Sequence, residues 1–111
     1  AAALAPGDPL AWEILGRWEY GFATLNPVLR MAARMVYGKL PAASLAEAGR
    51  FLEKAVALDP KRIGPHHHLA LVYEAEGKEA QARAEWDAVL RLRPTDAEDR
   101  EGQTAARAAL K

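Results

Sequence analysis

Cysteine is absent from the 111 residues, which removes disulfide stapling, thiolate-bound zinc and a thiol nucleophile together. The same absence leaves the compartment open, because many exported proteins also lack disulfides. An excess of one charge is missing too: fifteen Lys and Arg balance fifteen Asp and Glu, so no overall positive field exists for nucleic acid and none is expected as a partner. No apolar run approaches the roughly 20 residues of a spanning helix, so no membrane span is expected. The Ala-rich start has neither the basic n-region nor the apolar core of a signal peptide. There is no glycine-rich phosphate cradle, and Ser44 is the sole serine. It precedes Glu47 by three residues, a helix-capping spacing, and is spent there.

Half the residues are apolar and 27% are charged, the balance of a folded soluble chain long enough for one small unit. Sliding the sequence along itself exposes a repeat marked by prolines. Pro60 and Pro94 lie 34 residues apart, the period of tetratricopeptide hairpins. Similar helix tails precede them, Ala55-Val56-Ala57-Leu58-Asp59-Pro60 and Val89-Leu90-Arg91-Leu92-Arg93-Pro94, and Ala1-Ala2-Ala3-Leu4-Ala5-Pro6 is an earlier copy. Trp12, His66 and Arg100 each stand six residues after one of these prolines and open the next helix.

The second unit reads His66-x2-Leu69-Ala70-x2-Tyr73, a turn at Gly77-Lys78, then Ala82-x3-Trp86-x2-Val89-x4-Pro94. Small residues at these offsets let two antiparallel helices approach, while Tyr73 and Trp86 fill the space between pairs. The first unit starts with Trp12-x2-Leu15-Gly16 and ends with Ala48-x3-Leu52-x2-Ala55-x4-Pro60. Its span from Trp12 to Pro60 is 48 residues, against about 28 in a standard hairpin, so an insertion of about twenty residues separates its helices. Asp8 with Pro9, Ser44-x-x-Glu47 and Thr95-x-x-Glu98 are helix starts, and Asn26-Pro27 interrupts the first helix. The expected helices are 9–25, 28–37, 44–58, 62–76, 78–92 and 96–110.

These features predict an all-α fold: tetratricopeptide-like helical hairpins forming an α-solenoid over 1–111. Residues 1–6 are the tail of a preceding repeat, 9–60 the first hairpin with an insertion at 26–43, 62–94 the second hairpin and 95–111 a capping helix. Ala1 falls where the preceding unit's small packing residue belongs, so its partner helix is expected upstream. The face around Leu4 and Leu10 would then be open to pairing with another copy.

Further along, Leu15-Gly16-Arg17-Trp18, Arg30-Met31-x-Ala33, Tyr37-Gly38-Lys39-Leu40-Pro41-x2-Ser44-x2-Glu47-Ala48 and Leu52-Glu53-Lys54-Ala55 resemble the regulator of microtubule dynamics family. The closing run Glu98-Asp99-Arg100-x2-Gln103-x2-Ala106 is similar to that family's C-terminal cap. The resemblance covers nearly the whole chain and implies a tetratricopeptide-like domain with an extended helical link inside one hairpin. A cytoskeletal role is what the family implies; the residues themselves form no basic stripe for an acidic filament.

His66-His67-His68 invites a metal reading, but consecutive helical residues point roughly 100° apart, so three imidazoles cannot converge on one ion as i and i+4 ligands do. Neither metal nor cofactor is expected. The carboxylates are scattered beside Lys and Arg on helix faces, the pattern of an ion-paired surface, and no enzyme activity is expected. Two surfaces remain. The concave face, lined by the first helix of each hairpin, offers Glu13, Arg17 and Tyr20, then His67, Leu71 and Glu74, to a protein or peptide partner. In the insertion, Val28, Met31, Ala32 and Met35 form an i, i+3, i+4, i+7 apolar stripe, with Arg30 and Arg34 four apart on another face. The stripe is expected to pack on the array; alternatively it lids an apolar groove or meets a partner helix or lipid headgroups. The leading expectation is a non-catalytic protein-interaction scaffold. Its alternatives are an apolar-ligand (lipid) carrier, the groove covered by the inserted helix, and a homo-oligomer formed through the N-terminal repeat face.

Overall fold

A computed structural model of the protein describes residues 7–24, 27–37 and 44–111, without the side chains of Phe22, Pro27, Arg30, Ala33, Arg34 and Tyr37. Among these residues there are six helices and no strand: α1 Pro9–Ala23, α2 Pro27–Tyr37, α3 Leu45–Leu58, α4 Ile63–Ala75, α5 Glu79–Arg91 and α6 Ala97–Ala109. All lie within two residues of the ends expected from periodicity and caps. The tail at 1–6, Asn26 and the Gly38-Lys39-Leu40-Pro41 segment lie outside the described residues.

Local chemistry explains the helix ends. The Asp8 carboxylate accepts from the Leu10 amide at 3.0 Å, and the Ser44 hydroxyl accepts from the Glu47 amide at 3.0 Å; each occupies an amide that the helix leaves unbonded. At α6 the expected Thr95 cap is displaced by one residue. Asp96 is the N-cap and accepts from the Asp99 amide at 2.8 Å, while Asp99 Oδ2 takes the Thr95 amide and hydroxyl, each at 2.9 Å. A carboxylate is a stronger acceptor than a hydroxyl beside a helix N-terminus, and Glu98 is thereby released for a longer-range role. The α4–α5 turn closes with Gly77 at φ 76°, where the Lys78 amide reaches the Tyr73 carbonyl at 2.8 Å and the Gly77 amide the Glu74 carbonyl at 3.0 Å. These two bonds satisfy the last carbonyls of α4, and only glycine adopts that left-handed angle without strain.

The helices pack in chain order once α2 is set aside: α1 on α3, α3 on α4, α4 on α5, and α5 on α6, with α6 also touching α4. Ala48, Leu52, Ile63, Leu69, Ala70, Val72, Tyr73, Ala82, Trp86, Val89 and Ala106 form one buried cluster, so both large residues expected between helices are inside. Small residues set the spacing. A methyl group placed on Gly16 would lie 2.5 Å from Leu52 Cγ and 3.2 Å from the Ala48 carbonyl, so α1 and α3 approach this closely only because position 16 has no side chain. Tyr73 donates its hydroxyl to Glu53 Oε2 at 2.7 Å and Trp86 its indole N–H to Glu74 Oε2 at 2.8 Å, which satisfies the polar end of each buried aromatic.

The insertion helix behaves differently. The expectation that its stripe packs on the array is corrected for the described side chains: Val28, Met31, Ala32 and Met35 are exposed, Met35 at 82%. The Gly16 side of α1 is taken by α3, and among the described residues α2 does not cover the apolar line that α1 leaves half-exposed at Leu10, Ile14 and Trp18.

Candidate functional site

Of the six residues assigned to the concave face, two point outward. Arg17 is half-exposed and pairs with Glu98 of α6 at 3.0 Å. Glu74 is exposed and borders a depression of about 320 Å³ at the ends of α4, α5 and α6, lined also by Gly77, Glu79, Ala82, Arg83, Trp86 and Ala109. Its floor is apolar, Ala82 and Trp86, and its rim is charged.

The other four serve the fold. Glu13 is buried, 3% exposed, with Oε1 2.7 Å from Arg62 Nη1 in an ion pair whose angles are not those of a hydrogen bond. Burial pushes its carboxyl up from the ordinary range, while Arg62 and Arg17 pull it back. Its carboxylate lies against Gly64 where any side chain would collide with it, so Glu13 ties α1 to the first turn of α4. Tyr20 and Leu71 are half-buried and pack against the core. His67 stacks on His68 with centroids 4.8 Å apart and tilts against Trp86 at 5.4 Å. Its Nδ1 would lie 3.0 Å from a methyl on Gly102. Helix α6 therefore lies over His67, and a side chain at position 102 would press on the ring and require it to shift by a few tenths of an ångström.

The three histidines diverge in environment as they do in direction. His66 is buried with Nδ1 2.7 Å from Glu85 Oε1 and Nε2 2.9 Å from the Pro60 carbonyl; two acceptors suit a doubly protonated ring, and the Glu85 contact raises its pKa against the opposing effect of burial. Burial lowers that of His67. Burial, with Arg17 and His67 adding to it, holds His68 down to about 3. His68 is thus neutral, its 3.9 Å approach to Glu98 is no ion pair, and its Nε2 finds no hydrogen-bond partner among the described residues. No group of three His, Asp or Glu among the described residues is arranged to hold a metal.

In the insertion, Met31 and Met35 stand exposed, whereas the Arg30 and Arg34 side chains lie outside the described residues. Sequence reasoning missed a further apolar line, Leu10, Ile14 and Trp18, all about half-exposed on α1. Its i, i+4, i+8 spacing was the available signal. It missed the α4–α5–α6 depression as well, which no spacing announces because three helix ends form it.

The comparison of the whole chain with protein families decides its kinship: the family model for regulator of microtubule dynamics protein 1-3 matches residues 1–111. The chain belongs to the regulator of microtubule dynamics family. No individually curated protein matches it. The match spans α1 through α6 and so includes α2. No helix among the described residues of this member is long and apolar enough to cross a membrane.

Proposed function

We propose that this member of the regulator of microtubule dynamics family is a non-catalytic, tetratricopeptide-like scaffold that grips a protein or peptide partner. The repeat reading is supported by the 34-residue interval between Pro60 and Pro94 and by the burial of Tyr73, Trp86, Ala48, Ala70 and Ala82 between helices. A non-catalytic role is supported by how the titratable side chains are engaged: His66 is bonded at both nitrogens and Glu13 is paired with Arg62.

One observation carries the binding reading. The depression bordered by Glu74 has an apolar floor, Trp86 and Ala82, inside a charged rim, Glu74, Glu79 and Arg83. A dry centre within a polar ring is how protein interfaces are built. A photo-crosslinking residue at Arg83, which is exposed, tests this in the full chain within its own cells. The expected result is a single polypeptide adduct that the purified captured partner competes away, and that partner should bind a probe-free chain carrying Glu79→Lys/Arg83→Glu about tenfold or more weakly than the native chain, at unchanged melting temperature. Adducts at 83 identical to those from a probe at Arg107 would overturn the proposal.

A further inference from the structure

The insertion helix α2 presents side chains that the rest of the fold does not use. At 100° per residue, positions 31, 35, 32, 36 and 29 fall in that order around one arc of about 160°, occupied by Met31, Met35, Ala32, Val36 and Leu29. All five are exposed, Met31 at 66% and Val36 at 74%. Positions 30 and 34 fall within about 40° of one another on the opposite side of the same wheel, and both are arginine.

The charge of the surrounding chain is as one-sided as the helix. Between Tyr20 and Ala46 there is no Asp or Glu, while Arg30, Arg34 and Lys39 supply three cations. The remaining residues hold all fifteen acids against twelve bases. Residues 21–45 therefore carry a net +3 and the remainder a net −3, and the apolar arc of α2 falls within the acid-free stretch.

The geometry points to an anionic lipid surface as the occupant of this face, with α2 lying in the plane of the headgroups. Width and charge together select that occupant. A helix docking against one other helix needs an apolar stripe near 100° wide or narrower, and α2 offers about 160°, which suits a continuous apolar phase. A cationic partner helix would find no acid on α2 to pair with. Anionic headgroups need only cations, and cations on the polar face of a short amphipathic helix are what hold it at such a surface. The proposal is one of lying on the membrane, in keeping with the absence of a span among the described residues. It is independent of the α4–α5–α6 depression.

The full chain is sedimented with sucrose-loaded vesicles of phosphatidylcholine alone, or of phosphatidylcholine with about one third phosphatidylserine. Binding is expected to the anionic vesicles and not the neutral ones. Met31→Ser/Met35→Ser and Arg30→Glu/Arg34→Glu should each weaken it about tenfold or more, and the methionine variant should keep its melting temperature because both methionines are exposed. Since the chain has no cysteine, Met35→Cys carries a single environment-sensitive fluorophore, and its emission should shift to the blue on the anionic vesicles. Three results would overturn the proposal: no vesicle binding by the folded chain, binding that survives the methionine replacements, or a fluorophore that stays in water. A blue shift without lipid that grows with protein concentration would instead assign the face to a second copy. Loss of vesicle binding in the α2 variants with crosslinking at Arg83 intact keeps this test separate from that of the scaffold.

Discussion

Eight large apolar side chains are exposed on α1 and α2, namely Leu10, Ile14, Trp18, Val28, Leu29, Met31, Met35 and Val36; from α3 to α6 the only one among the described residues is Leu58, at 38%. The two regions have similar helix-forming sequences and opposite relations to the core. From α3 onward every helix packs against at least two others, and small buried residues let them approach, Ala48 and Gly49 in α3, Ala70 in α4, Ala82 in α5, and Gly102 and Ala106 in α6. In the first region α1 closes on α3 at Gly16 and Leu52 and meets α4 at Glu13, while the described side chains of α2 stay exposed. Amphipathicity alone therefore does not bury a helix: burial needs a facing groove, and in this chain small residues make the grooves.

The largest expected difference between the regions is in stability. Trp86→Ala removes the biggest buried side chain of the second region together with its bond to Glu74, and should cost about 3–5 kcal/mol in urea unfolding. A loss below about 1 kcal/mol would mean that this region is not the closed one.

The Glu13–Arg62 pair tests the joint between the regions. Arg62→Met strands a buried carboxylate and should destabilise the chain strongly, though by less than the roughly 3–5 kcal/mol of a fully buried pair, because Arg62 keeps solvent contact. Adding Glu13→Met should recover most of that loss, since two apolar residues leave no charge behind. Simple additivity in denaturation would show that the pair does not couple α1 to α4.

The histidines give a smaller and reversible effect. His66 has a raised pKa, so its contribution is fully present below the unfolded value of 6.5 and is lost as pH rises through its folded pKa. His67 and His68 are lowered, so their contribution is present above 6.5 and is lost as pH falls below it. Stability should peak just above 6.5 and drop by about 1–2 kcal/mol over the next unit downward, as the unfolded chain takes up more protons than the folded one. Glu85→Gln should flatten the alkaline limb and leave the acid limb, which urea titrations at several pH values would read. The smallest effect belongs to α2: Met35→Ser should change the unfolding free energy by no more than about 0.5 kcal/mol, and a larger loss would place α2 with the packed region after all.

The sequence read well where the physics is local. Helix ends followed from Asp8, Ser44 and Gly77, because a cap or a left-handed turn is a contract among residues a few positions apart. Tyr73 and Trp86 were legible as interior because they recur at a fixed offset from small residues. The candidate surface was less legible. Glu13, Tyr20, His67 and Leu71 were expected on an open face, but whether a helix face meets solvent depends on elements distant in sequence. Glu13 is covered by the start of α4, and His67 by α6 at Gly102. The Thr95 cap failed by one residue because two adjacent side chains both fit the pattern and the better acceptor took the site.

By itself the sequence determined that the chain is helical and, to within two residues, where the helices among the described residues begin and end. These rest on periodicity and on short-range hydrogen bonds that each segment carries with it. The tertiary structure alone decided which acid is buried, which arginine is left at the surface, that α6 lies over part of the anticipated groove, and that the α2 stripe faces outward. Those outcomes depend on which surfaces meet, and a side chain's solvent exposure is a property of its neighbours across space that no spacing along the chain encodes.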